Sequence, residues 1–222
     1  MNTIKNHPSD ELLTSYSAAS LPLSQALCVS VHLESCDECA RKLQRLNQVG
    51  SELMRQLKPS PPSPDLKSNL LEQLDSLVED TENDRIEDID KSVPRCLHQF
   101  IDKGFGEISW KRISRDIKSY ELCRDQNNAK VELLRIRPGG TSSTHTHMGD
   151  EYTVILEGSF SDESGLYRRG DFLMRDSRHK HTPVATRDGE CICLAVTEAP
   201  IQLTGFFGRL LNPLIRRSYV TG

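Results

Sequence analysis

Apolar residues along this chain recur at two periods, and the change falls near the middle. Up to about residue 57 they return every three or four positions, as on a helix face; from about Val93 they alternate or run in short blocks, as in strands. Ser9 is placed to cap a helix beginning at Asp10-Glu11, with acids in its first turn and Leu12, Leu13 and Tyr16 on its apolar side. Pro22 suits the first position of a second helix through Leu27, Val31 and His32. A third starts near Asp37, and its stripe at Leu43, Leu46, Gly50, Leu53 and Leu57 is the pattern of a buried helix face.

Four prolines between Pro59 and Pro64 stop that helix and form a stiff, extended connector at 58–64. Ser63-Pro64-Asp65 then opens a strongly amphipathic helix with Leu66, Leu70, Leu74 and Leu77 on one side and Leu71 and Val78 adjacent. That stripe either packs on the chain's own domain or, if exposed, needs a partner. Residues Glu79 to Asp90 hold seven acids against one arginine, which reads as a solvated linker, with steering of a basic partner as the alternative. Beyond it come the blocks Lys130–Ile136, Tyr152–Leu156 and Cys191–Val196, punctuated at Pro138-Gly139-Gly140, Gly158, Gly165, Gly170 and Asp188-Gly189. Short strands with regular turns predict an all-β sandwich or barrel. The chain closes in a tail with Arg209, Arg216 and Arg217 and no acid after Gly205.

Composition removes several function classes. A net charge of −4 gives no electrostatic reason to bind DNA or RNA, and 5% aromatic residues argue against a base-stacking surface or an aromatic-lined ligand cavity. Residues Leu12 to Leu33 lack charged side chains, yet six Ser or Thr make them too polar for a membrane span. Seven cysteines cannot all pair within one chain, and their spacing is not that of a secreted disulfide framework. A reducing cytoplasm, with thiols free or metal-bound, is the expectation.

Two sets of metal-ligating residue types stand at the two ends of the chain. His32, Cys36 and Cys39 are spaced i, i+4, i+7, on one face of a helix or helix–turn junction, and His7 is the natural fourth ligand from the preceding helix. Two thiolates and two imidazoles close a zinc tetrahedron, and a small three-helix unit depends on such a crosslink. Cys36-x-x-Cys39 as a redox pair lacks the surrounding βαβ pattern, and Cys28 reads as a buried small residue.

The second set is Gly139-x5-His145-x-His147-x3-Glu151-x6-Gly158. Histidines at i, i+2 on a strand share a face, and Glu151 opens the next strand, able to face them across a hairpin. A third histidine follows the Gly170-Asp171-Phe172 turn, and His181 fits that position better than His179. Three imidazoles and a carboxylate leave positions for water or a small ligand, and Zn, Fe(II), Mn and Ni all suit such a set. Cys191 and Cys193 share one strand face, as barrel filling or as thiols near the metal with a redox role.

These motifs carry a family resemblance. Gly139 to Gly158 resembles the first motif of the cupin superfamily, a small β jelly roll. Gly170 through His181 resembles the second, with Arg168-Arg169-Gly170 in place of the usual Pro-x-Gly. The opening His7-Pro8-Ser9-Asp10-Glu11-Leu12-Leu13, with His32-x3-Cys36-x2-Cys39, is similar to the signature of the bacterial ChrR-like anti-sigma factors, and the likeness runs from His7 to about Thr204.

The implied fold is α+β in two modules: an all-α zinc-binding anti-sigma domain at 1–80, an acidic linker at 81–94, an all-β cupin at 95–204 and a tail at 205–222. The implied function is not enzymatic and assigns no catalytic residue. It is 1:1 inhibition of an extracytoplasmic-function type sigma factor in the cytoplasm, with no direct nucleic-acid or membrane contact. Release follows an oxidant such as singlet oxygen acting through the cupin. The implied ligands are His7, His32, Cys36 and Cys39 for Zn2+, and His145, His147, Glu151 and His181 for Zn2+ or another divalent transition metal. The alternative is a metal-dependent cupin dioxygenase or isomerase with a helical docking domain, although no general acid or base beyond the ligands is visible. A zinc-finger DNA binder is disfavoured by the charge and by the ligand spacing.

Overall fold

The structure, a computed structural model, describes residues 4–76, 90–205 and 208–221. Helices α1 (Asp10–Ser17), α2 (Leu23–Leu33), α3 (Asp37–Arg55) and α4 (Leu66–Ser76) come first. The Ser9 hydroxyl accepts from the Leu12 N–H, the expected cap of α1. Pro22 is the residue before the first turn of α2 rather than its first helical position.

Twelve strands follow: β1 (Lys111–Arg112), β2 (Ile117–Arg124), β3 (Lys130–Ile136), β4 (His145–Thr146), β5 (Glu151–Glu157), β6 (Ser159–Asp162), β7 (Gly165–Arg168), β8 (Phe172–Arg175), β9 (Lys180–His181), β10 (Val184–Ala185), β11 (Cys191–Thr197) and β12 (Gln202–Leu203). One six-stranded sheet runs β1-β2-β3-β11-β5-β8, and two three-stranded sheets run β10-β6-β7 and β12-β4-β9. All named pairings are antiparallel. Residues of all three sheets line one interior chamber, the expected barrel. Gly158, at φ +68°, joins β5 to β6 where an added Cβ would strike the Glu190 carbonyl oxygen, so the tight turn requires glycine.

Two expectations change. The stripe on α3 is not a buried face along its length. α1 lies beside its first half, tied by Lys42 to Asp10 and by Ser17 to Asn47, and past Asn47 the residues Val49, Leu53 and Met54 are exposed, as is Leu57 beyond the helix. The tail folds too: residues 212–221 form a helix, α5 (Asn212–Thr221). On α4, Leu66, Leu70, Leu71 and Leu74 are all exposed, so the described part of its stripe is not buried by the described residues. Leu77, Val78 and the acids through Asp88 lie outside the described residues.

The helical and β halves share one core. Leu27, Cys28, Val29 and Val31 of α2 belong to the same buried cluster as Val131, Leu133, Val154, Phe172 and Leu194 of the large sheet. The cause is local: α2 has apolar residues around most of its circumference, and such a helix must be covered on more than one side. Polar ties edge this packing, with Ser24 Oγ 2.5 Å from Asp125 and the Glu34 carboxylate accepting from the N–H groups of Arg95 and Cys96.

Candidate metal centres

At the N-terminal centre the helix junction sets the geometry. His32 lies in the last turn of α2; Cys36 caps α3 and Cys39 lies in its first turn, its N–H directed at the Cys36 sulfur. The short α2–α3 connection therefore folds both thiols back toward His32. His7 comes not from a helix but from the irregular segment before α1, and its Nδ1 is 3.4 Å from the Sγ of Cys36 and of Cys39. One ligand atom from each of the four residues lies within 4.8 Å of the others.

His32 supplies the test of whether an ion fits. Its Nδ1 is 2.7 Å from the Gly170 carbonyl oxygen, which can only accept, so Nδ1 carries the proton. Nε2 is then a bare lone pair, fully buried and without a hydrogen-bond partner. Burial, with the nearby His7, lowers the His32 pKa to about 4 against the pull of Gly170 and Asp171, which excludes filling that lone pair with a proton near neutral pH. Burial and the neighbouring Cys36 also push the Cys39 thiol up to about 12. A dication answers both problems: it takes the orphaned lone pair and stabilises the thiolates, which the α3 N-terminus favours as well. The donor set is that of a closed zinc site.

This centre is braced by the β half. Gly170 and Phe172 belong to the β7–β8 turn and to β8. The Asp171 carboxylate between them accepts from the N–H groups of Lys5 and Asn6 at 2.8 and 3.0 Å, and from that of Arg168 at 2.8 Å. Phe172 N–H donates to the Asn6 carbonyl, and its ring meets His32 edge-on at 5.8 Å. The chain entering His7 is thus held by the same turn that fixes the His32 ring.

The second centre lies inside the barrel. His145 and His181 face each other across the β4–β9 pair, and His147 follows β4. The Nε2 of His181 is 3.1 Å from that of His145 and 3.1 Å from that of His147. Each Nδ1 faces an acceptor: the Ser143 carbonyl at 2.8 Å for His145, Asp162 at 3.0 Å for His181, and Glu151 at 3.0 Å for His147. With all three Nδ1 protonated, three Nε2 lone pairs converge with no proton between them. That is electrostatically unfavourable until a cation sits there, and acceptors on the far ring nitrogens are the usual supports of metal-bound imidazoles.

Of the four expected residues, three form this tight group and Glu151 stands beside it, its carboxylate on His147 Nδ1 and its other oxygen accepting from Thr153. Burial works to raise the Glu151 pKa, but the His147 hydrogen bond and the imidazoles overcome it and hold Glu151 at about 2. Burial likewise opposes the Asp162 carboxylate, and bonds from His181, Ser164 and Tyr167 outweigh it. Burial lowers the His145 pKa. His179 sits apart, paired with Asp176. Cys193 lines the same chamber, whereas Cys191 joins the apolar cluster around Ile136 and Phe160. Burial raises both thiols, Cys191 to about 12. All seven cysteines are free.

Sequence reading missed the residues that orient the ligands. Asp162 sits in an ordinary strand pattern, and nothing in its spacing announces a partner 19 positions away. Gly170-Asp171 was legible as a turn but not as the brace of the other centre.

The chain is similar to known proteins along most of its length. Residues 102–200 match the family described as ChrR Cupin-like domain. The anti-sigma-E factor ChrR of Cereibacter sphaeroides is 33% identical over 214 residues, covering 96% of this chain and 99% of that protein. The crystal structure of Rhodobacter sphaeroides SigE in complex with the anti-sigma ChrR aligns at a TM-score of 0.76 and 33% identity, over 88% of this chain and 100% of that one. With likeness at this level across nearly the whole length, helices and barrel together, the chain belongs to the family of ChrR anti-sigma factors.

Proposed function

We propose that this chain is a cytoplasmic regulator that captures an extracytoplasmic-function type sigma factor 1:1, keeps it from RNA polymerase, and releases it when an oxidant such as singlet oxygen acts through the cupin half. Family membership makes it a regulator rather than an enzyme and sets aside the dioxygenase or isomerase alternative. Among the described residues no helix is long and apolar enough to cross a membrane.

The observation that carries the reading is the uncovered apolar surface on the far half of α3 and on α4. Leu53, Met54, Leu57 and Leu74 are each more than 60% exposed, and Leu70 and Leu71 about half. An apolar face on this scale needs a partner. The inhibitory module is 1–80, with 81–94 as linker, 95–204 as the responding cupin and 205–222 as its C-terminal extension.

His7, His32, Cys36 and Cys39 hold Zn2+ and fix the α2–α3 junction from which the capturing surface extends. His145, His147 and His181, with Glu151, hold a second divalent transition metal. When bound, that ion supplies an exchangeable coordination position facing the chamber. Ser143, Asp162 and Glu151 keep the three Nε2 lone pairs turned toward it.

Co-purification with the cognate sigma factor tests the reading. Leu70→Asp combined with Leu74→Asp is expected to weaken capture at least tenfold while leaving metal content unchanged; capture at full strength by that variant would remove α4 from the interface.

A further inference from the structure

The barrel encloses a chamber of about 590 Å3, large for a protein whose family role is to bind another protein. Its walls are aliphatic, with Ile117, Leu134, Ile136 and Leu173 among them. At the metal end, His145, His181, Glu151, Asp162 and Arg175 line the same space. Glu151 and Arg175 are register partners across β5 and β8, which fixes the cation beside the imidazoles.

The charges at that end select a headgroup. Glu151 and Asp162 contribute two negative charges, and Arg175, 3.3 Å from Asp162, one positive. Lys130 and Glu132, also in the lining, are paired at 2.7 Å and cancel. A divalent ion on the imidazoles leaves this end with one positive charge in excess, in a setting of low dielectric. One carboxylate neutralises it; a neutral head leaves it unmatched. The aliphatic walls ask for a hydrocarbon body on that head.

The α5 helix closes the mouth. Leu211, Leu214, Ile215 and Tyr219 follow helical spacing and all line the chamber. The Asn212 side chain makes two hydrogen bonds to the Leu203 backbone, at 2.9 and 3.1 Å. At the other end, the Tyr219 hydroxyl lies 2.7 Å from the Thr197 carbonyl oxygen and 3.1 Å from that of Asn128, with Arg124 over its ring. The helix is pinned at both ends, while Leu214 between them remains 64% exposed at the entrance.

We propose that the barrel is a receptor for a monocarboxylate with an unbranched aliphatic chain of medium length, its head beside the imidazole cluster and its chain along the aliphatic walls beneath α5. The proposal rests on the metal-bearing reading of the cluster. It makes the cupin half responsive to a small molecule as well as to an oxidant.

The test is calorimetric titration of the full-length, zinc-loaded protein with acetate, butyrate, hexanoate and octanoate, and with octan-1-ol as the control with an uncharged head. Affinity is expected to rise roughly fourfold per methylene from butyrate to octanoate, with octanol at least tenfold weaker than octanoate. Leu134→Trp, which narrows the aliphatic part of the chamber, is expected to weaken octanoate at least tenfold and leave acetate unchanged. Leu214→Asp, at the exposed entrance, gives the same direction without touching the core. Equal affinity for acetate and octanoate overturns the proposal, as does octanoate binding that neither variant alters. Metal analysis on the same samples separates the two readings. A chain-length series that persists without metal at the cluster overturns the charge argument for the carboxylate head; a flat series with metal present removes the receptor and keeps the metal.

Discussion

The two centres use the same imidazole chemistry for opposite ends. At the helical centre, ligand atoms of two cysteines and two histidines lie within 4.8 Å of one another, and His32 Nε2 has no hydrogen-bond partner among the described residues. At the barrel centre, three imidazoles converge from one side and the other side opens on the chamber. Their supports differ as well. The barrel ligands lean on Ser143, Asp162 and Glu151 of their own half, whereas His32 leans on Gly170, across the boundary. The first centre is therefore a joint between the two halves, and the second is a cluster whose supports all lie within the barrel.

If that contrast holds, its largest consequence lies at the thiols. Cys36→Ala or Cys39→Ala is expected to remove the helical zinc, on the order of 10–16 kcal/mol of binding free energy, leave His32 Nε2 permanently unpaired, and release the sigma factor constitutively. Metal content, far-ultraviolet circular dichroism and a transcription reporter check it together. Zinc retention with inhibition intact would falsify the idea that this centre shapes the capturing surface.

A smaller effect probes the joint. The Asp171 carboxylate is 3% exposed and accepts three backbone N–H groups, two of them from the segment that delivers His7. Asp171→Ala leaves those partly buried donors unmatched, a loss of roughly 1–3 kcal/mol. Zinc is expected to leave the helical centre faster under a competing chelator, although the substitution lies in the cupin half. Unchanged zinc release, with barrel metal retained, would show the two centres to be mechanically independent.

How much of this was legible in the sequence follows from the range of the forces involved. Ser9, Cys36-x-x-Cys39 and the His145–Glu151 run act over a few residues, so spacing alone exposes them. The block Lys130–Ile136 reappears with the same limits as β3, because its β-branched and aliphatic residues lie between clear turns. Where packing over long separations decides, pattern reading stops. The period of α3 is unchanged past Asn47, yet among the described residues nothing buries Val49, Leu53 and Met54. The apolar circumference of α2 marks it as a helix to be covered on several sides, but not that the sheet covers it. Asp162 and Asp171 act on His181 and on Lys5 through register and turn geometry, which no local spacing records. The α5 residues read as a basic tail because the chamber they cover is assembled from distant strands.

The smallest effect on stability is expected at the barrel centre, and it is the most discriminating. His145→Ala removes one of three converging lone pairs and so relieves a repulsion in the ion-free state. The space it vacates joins an existing chamber instead of creating a new closed void, which limits the usual cavity cost. Glu151 calls for a gentler change: Glu151→Ala would strand the His147 Nδ1–H in a buried place, at roughly 1–3 kcal/mol, whereas Glu151→Gln keeps an acceptor there and removes only the charge. Both His145→Ala and Glu151→Gln are expected to melt within a few degrees of the parent and to capture the sigma factor within about twofold of it. His145→Ala is expected to lose the barrel metal, Glu151→Gln to weaken its hold, and both to blunt release by singlet oxygen. Melting curves, metal analysis of the two centres and oxidant-dependent reporter output separate the outcomes. A normal oxidant response without barrel metal would move the sensing function out of this centre, and collapse of sigma capture would mean that the barrel, too, depends on its ion for shape.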